Sequence, residues 1–176
     1  MGKKALHNKW VYGVKEEYNG SKRHKVRLVV KGFQQKEGID YTDIFSLVVK
    51  LNAIRSVLSI VTVEELHLEQ LDVNTAFLYG DLKEEIYMQQ LKGFLVKGKE
   101  KLICRLTKSL YSLKQTPRQW YKKFDGFLQR HGYNKCNADH CCYFKRFESN
   151  YIILLLYVDD MLVVGLDMDE IKKLKK

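Results

Sequence analysis

Short apolar runs alternate with polar punctuation along the chain, and their period separates strands from helices. Trp10–Lys15 and Lys25–Lys31 read as two strands joined through Asn19-Gly20, a hairpin turn signal. The period then lengthens. Leu51, Ile54, Val57, Leu58 and Val61 fall on one helical face, predicting a helix over about 52–64. A strand ending at Asp72 follows, then a helical turn through Ala76-Phe77-Leu78, and strands near 86–88 and 102–106. Thr116 is placed to cap a second helix, with Pro117 at its first position, where a missing N–H is harmless. The apolar stripe of that helix is Trp120, Tyr121, Phe124, Phe127 and Leu128, and Gly132 lies past its end. A strand at 143–147, a hairpin and a closing helix from about Asp169 complete the pattern. Strands interleaved with two packing helices predict an α+β architecture without repeats or low-complexity linkers.

The late hairpin carries the chemistry. Tyr151–Val158 and Met161–Val164 are apolar runs flanking Asp159-Asp160, which places two adjacent carboxylates at the tip. Aspartate is also an ordinary turn residue, so this pair alone decides nothing. Asp72, 87 residues before Asp159, ends another apolar strand. Carboxylates gathered at neighbouring strand ends repel unless cations screen them, which is the requirement of a two-metal phosphoryl-transfer site. The expectation is that Asp72, Asp159 and Asp160 converge, with metals roughly 4 Å apart.

Charge sharpens this reading. The 176 residues carry a formal net charge of +10. Ten Lys/Arg and one acid, Glu100, lie between Lys92 and Lys123, whereas seven acids and one base, Lys83, lie between Glu64 and Leu91. A basic lobe beside an acidic pocket suits a protein that grips phosphate backbone and holds metal nearby; a merely solvated basic surface is the plainer alternative. The length allows one ordinary domain or two small lobes. The longest apolar run, Tyr151–Val158, is too short to span a bilayer and no secretion signal opens the chain, so an intracellular protein, cytoplasmic or nuclear, is expected, with no membrane partner. Cys104, Cys136, Cys141 and Cys142 are then expected to be reduced. Cys136-x3-His140-Cys141-Cys142 invites a zinc reading but lacks the paired spacing of zinc sites.

Five stretches occur in one order: Lys25-Val-Arg-Leu-Val-Val-Lys-Gly-Phe-Gln34, Gln70-Leu-Asp-Val-Asn-Thr-Ala-Phe-Leu-Tyr-Gly-Asp-Leu82, Glu85-Ile-Tyr-Met-Gln89, Leu110-Tyr-Ser-Leu-Lys-Gln-Thr-Pro-Arg-Gln-Trp120 and Leu156-Tyr-Val-Asp-Asp160. Together they resemble the reverse transcriptase of Ty1/copia-type LTR retrotransposons, from about Trp10 to the C-terminus. The resemblance implies the palm and fingers of a right-hand polymerase, with fingers at about 1–65 and 80–115 and palm at about 66–79 and 116–176. The family's thumb and RNase H parts would lie further along the polyprotein and would be missing here, so little processive synthesis is expected. The implied partners are an RNA or DNA template-primer and deoxynucleoside triphosphates.

The resemblance also implies roles. Asp72, Asp159 and Asp160, with the backbone carbonyl of Val73, would hold two Mg²⁺ ions, Mn²⁺ being a substitute. One ion would lower the pKa of the primer 3′-hydroxyl, and both would neutralise charge in the in-line transition state. Phe77 would stand where a ribose 2′-hydroxyl would go, or is ordinary core. Gln115 would touch the incoming nucleotide, or is a solvated cap residue. Lys25 and Arg27, on one face of their strand, would bind triphosphate, or are an exposed strand face. Arg118, Lys122 and Lys123 would meet template or primer phosphate, or form a solvated helix face.

The chain departs from the family at five positions. Proline is usual where Leu47, Leu91 and His140 stand, glycine at Ser112 and alanine at Thr116. Pro→Leu, Gly→Ser and Ala→Thr each arise from one C-to-T or G-to-A transition, the mark of a silenced copy decaying by deamination. Two other readings therefore stand beside the polymerase: a catalytically inactive relic or domesticated nucleic-acid-binding module, and, more weakly, another two-metal enzyme built on a palm, such as a nucleotide cyclase. Decay requires an excess of such transitions in the nucleotide sequence against intact relatives; no excess removes the idea.

Overall fold

The computed structural model describes residues 4–174. It is a mixed α/β structure with three α-helices and three antiparallel sheets among the described residues. The chain divides into two compact units, one of Met1–Phe45 with Phe77–Trp120 and one of Ser46–Ala76 with Tyr121–Lys176.

In the first unit, β1 (Asn8–Glu16) and β2 (Lys22–Val30) form the expected hairpin, somewhat longer than its apolar residues suggested. The connection is a five-residue loop rather than a two-residue turn. Gly20 takes a positive φ of 77° and Asn19 Oδ1 accepts from the Ser21 N–H at 3.0 Å, so the Asn-Gly signal acts one step late. β4 (Asp81–Gln89) and β5 (Ile103–Lys108) form a second ribbon. Leu6, Val30, Ile86, Met88 and Leu113 are buried together, with Leu28, Leu82, Leu106 and Leu110 packed around them. The end of β2 is fastened to the segment before the next helix by the Val30 N–H donating to the Tyr111 carbonyl at 3.1 Å. Here the backbones come so close that a Cβ on Gly32 would lie 1.7 Å from the Ser112 carbonyl oxygen.

The second unit is built on a sheet ordered β3-β9-β8-β7-β6. Its strands are β3 (His67–Asp72), β6 (Asn134–Lys135), β7 (Cys142–Arg146), β8 (Tyr151–Tyr157) and β9 (Asp160–Gly165). Ile152, Leu154, Leu155 and Leu156 are all buried, which is why β8 reads as an unbroken apolar run: a central strand covered on both faces has no polar side. α2 (Thr116–Arg130) contains the division between the units, after Trp120. Tyr121, Phe124 and Leu128 are buried as the stripe predicts, but Phe127 is 44 % exposed. The helix starts one residue early. Thr116 is helical and its hydroxyl donates to the Leu110 carbonyl, while the Gln115 carbonyl accepts the first helical bond, from Gln119. Gly132, with φ of 80°, ends the helix as expected. α3 (Met168–Lys173) is capped by Asp167, whose side chain accepts from the Asp169 N–H at 2.7 Å.

α1 (Leu51–Val63) lies within a residue of its expected span, yet its apolar face is only partly used. Val57 is buried, Ile54 and Val61 are half-buried, and Leu51 and Leu58 are exposed. This helix groups with the sheet, whereas residues 46–65 were expected with the fingers. The reason is its N-terminal tether: the Val49 N–H donates to the Leu156 carbonyl at 3.1 Å, and the Lys50 N–H to the buried Asp139 carboxylate at 2.7 Å. Among the described residues no helix is long and apolar enough to cross a membrane.

Ser112 has a φ of 71°, in the left-handed region where a Cβ is unfavourable. Ser112→Gly should therefore raise unfolding stability by about 1 kcal/mol, measured as a shift of the denaturant midpoint at unchanged slope.

Candidate active site

The pairing of β3 with β9 sets Asp72 directly opposite Asp160. Directly opposed residues project from the same face with Cβ atoms about 5 Å apart. Gln70 and Leu162, two residues back on each strand, share that face. Gln70 Nε2 donates to Asp160 Oδ1 at 3.3 Å, long for such a bond. The ladder runs one step beyond Asp72, where the Val73 N–H donates to the Asp159 carbonyl at 3.1 Å. All three aspartates thus meet at one end of one sheet, although 87 residues separate Asp72 from Asp159.

The tip itself differs from expectation. Tyr157 pairs with Asp160, so the two turn residues are Val158 and Asp159, and Asp160 already belongs to β9. Only the first of them has positive φ, 61° at Val158, which is the pattern of a II′-like turn that prefers glycine there. A β-branched residue in that region is strained by about 1–3 kcal/mol, and such strain persists where the surroundings hold it. The Val73 carbonyl accepts from the Ala76 N–H at 3.2 Å and keeps one lone pair. Beside Asp160 opens a cavity of about 250 Å³ whose wall includes Gln70, Tyr157 and Leu162, with Val49 and Ile54 on the α1 side.

The remaining predicted residues fall elsewhere. Lys25 and Arg27 stand opposite Gly13 and Val11 on one face of the β1–β2 hairpin, as alternation requires. The Arg27 guanidinium lies 5.5 Å from the centroid of the Tyr111 ring, within cation–π range. Phe77 is half-buried in a short 3-10 turn, Ala76–Leu78. Lys122 and Lys123 are exposed on α2. Arg118 is held within the first unit, donating to the Phe45 carbonyl and to Asp43 Oδ2, each at 3.0 Å. Lys25, Arg27, Phe77, Gln115 and Arg118 belong to the first unit, and the aspartates, Lys122 and Lys123 to the second.

Gln115 is not a solvated cap residue. It is fully buried, its Nε2 donates to the Asp40 carbonyl at 3.0 Å, and its Oε1 accepts from Gln35 Nε2 at 2.9 Å. Gln35 Oε1 in turn accepts from the Lys114 N–H at 2.8 Å. Sequence reading missed this network because partners 80 residues apart leave no local signal. Burial pushes the Cys141 thiol up to about 12 and that of Cys142 to about 11, so both are protonated near neutral pH.

Comparison with known proteins now bears on this geometry. A family described as reverse transcriptase (RNA-dependent DNA polymerase) matches residues 1–176. The chain belongs to the reverse transcriptase family. It is 58% identical over 176 residues to a retrovirus-related Pol polyprotein from transposon TNT 1-94 of Nicotiana tabacum, covering 99% of this chain and 13% of that protein. It is 39% and 40% identical over 160 residues to the Pol polyproteins from transposons RE1 and RE2 of Arabidopsis thaliana, covering 90% of this chain and 11% of each. The likeness to a Ty1/copia-type reverse transcriptase therefore holds along the chain, which spans about an eighth of the length of these relatives. No solved structure matches it.

For a reverse transcriptase, the donor set at the sheet end is chemically apt: three carboxylates and a backbone carbonyl are hard oxygen ligands of the kind Mg²⁺ and Mn²⁺ take. As the side chains stand, no three His, Cys, Asp or Glu among the described residues are gathered tightly enough to hold a metal ion. The backbone supplies the convergence, and the Asp160 carboxylate is turned towards Gln70.

Gln115→Ala would strand the Gln35 amide and the Asp40 carbonyl in the interior. It should lower unfolding stability by about 1–3 kcal/mol, checked by chemical denaturation; an unchanged midpoint would mean that the network carries no weight.

Proposed function

We propose that the chain forms the fingers and palm of an RNA-directed DNA polymerase, the first unit serving as fingers and the second as palm. The single observation behind this is the β3–β9 register, which sets Asp72 opposite Asp160 and bonds Val73 to Asp159. In this reading Asp72, Asp159 and Asp160, with the Val73 carbonyl, hold two Mg²⁺ ions. When bound, the ions neutralise the triphosphate and lower the pKa of the primer 3′-hydroxyl. The chain's own part is positioning. Asp160 exchanges its long bond to Gln70 for the site, a small change because that bond is exposed. The II′-like turn fixes the two neighbouring carboxylates on either side of the strand start, and strain at Val158 is held by the pairing on both flanks.

Lys25 and Arg27 bind the triphosphate from one face of the hairpin, the guanidinium held in cation–π range of Tyr111. Phe77, half-buried in its turn, rejects the ribose 2′-hydroxyl by bulk. Gln115 acts by bracing Gln35 and the Asp40 loop beneath the nucleotide rather than by reaching into solvent. Lys122 and Lys123 track phosphate; Arg118 contributes through its hold on Asp43 and Phe45. Template-primer, deoxynucleoside triphosphates and the other parts of the polyprotein are the partners.

A second reading, the decayed relic, is favoured by Ser112. Its φ of 71° marks a position built for glycine, so the serine is a burden the fold did not select.

The test is addition of a single deoxynucleotide to a primer on an RNA template with Mg²⁺. Asp159→Asn or Asp72→Asn should each reduce the rate at least about 10²-fold, since small displacements of the reacting groups already cost that much. Equal incorporation by wild type and both variants would reject the polymerase reading. No incorporation by the wild type, with incorporation restored in Ser112→Gly, would favour the relic.

A further inference from the structure

The segment between β4 and β5 is a built structure. Gln90 clamps it: Nε2 donates to the carbonyls of Lys99 at 2.7 Å and Leu102 at 2.9 Å, and Oε1 accepts from the Val96 N–H at 3.1 Å. Backbone bonds from Phe94 to Leu91, Lys99 to Val96 and Leu102 to Lys99 add successive turns. Gly93 and Gly98 supply the positive φ values those turns need, 89° and 77°.

A loop held this firmly displays apolar side chains instead of burying them. Phe94, Leu95 and Val96 are 69 %, 55 % and 54 % exposed. Trp10, near the start of β1 in the same unit, stands beside them, its ring centroid 6.4 Å from that of Phe94. Lys92, Lys97, Lys99 and Lys101 lie in the same segment, all exposed. The one acid of the loop, Glu100, is exposed, its carboxylate accepting from the Gly98 N–H at 2.8 Å, so four lysines outnumber one carboxylate here.

The combination is selective. A solvated lysine face has no use for exposed rings, and protein-docking patches are depleted in lysine at their centres. Ring faces amid cations match a polyanion that also offers flat apolar groups, which describes unpaired nucleic acid. We infer that this loop and Trp10 form a contact for single-stranded nucleic acid, the lysines on phosphates and the Phe94 and Trp10 rings against bases. Recognition is independent of sequence, because every base has a stacking face. The inference rests on the polymerase reading for the identity of the polyanion, but none of its residues belongs to the carboxylate site.

The test uses the full chain, a labelled single-stranded oligo(U), and tryptophan emission, which Trp10 dominates among solvent-exposed reporters because Trp120 is 5 % exposed. Wild type should bind with quenching of that emission. Phe94→Ala should weaken binding about tenfold and reduce the quenching, at unchanged melting temperature. The pair Lys97→Glu and Lys99→Glu should lower the salt dependence by about two phosphates' worth. Unaltered affinity and quenching in Phe94→Ala would overturn the inference. So would variants that bind oligo(U) normally but lose binding to phosphatidylserine vesicles, an outcome that assigns the loop to a membrane surface. Primer extension separates the two claims. If Asp159→Asn leaves incorporation unchanged while Phe94→Ala still weakens oligo(U), the polymerase reading fails and this contact stands; the converse result removes the contact alone.

Discussion

The convergence of the aspartates in the second unit depends on the register of one strand pair. A sheet has a period of two, so sliding β3 by one residue against β9 would send Asp72 to the opposite face from Asp160. What prevents the slip is burial. Glu69 and Leu71, the half-buried residues of β3, stand opposite Val163 and Met161, which are buried on β9, so a one-residue slip would move Leu71 to the exposed face and set Gln70 and Asp72 towards buried apolar side chains. The fold thus uses hydrophobic burial, which has no direction of its own, to hold charged groups that repel at the sheet's edge.

The same logic accounts for the strain. A two-residue turn brings β8 and β9 close enough to present carboxylates side by side, and its geometry asks for glycine where Val158 stands. The first unit shows a related constraint at Gly32 and Ser112. There the backbones approach so closely that a side chain is excluded at Gly32, and the facing residue adopts a left-handed conformation. At Val158 the strain lies beside the aspartates; at Ser112 it lies where the backbone faces Gly32.

Much of this was legible in the sequence where the signal is periodic or punctuated. The span of α1, the apolar stripe of α2, the β1–β2 pair and the β8–β9 hairpin follow from spacing, and Gly132 ends α2 as its position suggests. The tip was misplaced by one residue because composition cannot distinguish Val-Asp from Asp-Asp as the turn; the cross-strand pair Tyr157–Asp160 decides it. The exposed half of α1 and its grouping with the sheet were illegible, because the tethers to Leu156 and Asp139 join residues 107 and 89 positions apart. The burial of Gln115 was illegible for the same reason: a polar residue at a helix start looks solvated until a distant Gln35 is folded against it.

In the proposed site, residues from two strands joined only by register make one place for a cation. Mn²⁺ binding followed by electron paramagnetic resonance, in a double-mutant cycle of Asp72→Asn and Asp160→Asn, tests it directly. One shared site requires each substitution to weaken binding and the double variant to lose much less than the sum of the two. Affinities that stay unchanged, or losses that simply add, would mean the carboxylates do not act together and would contradict the account.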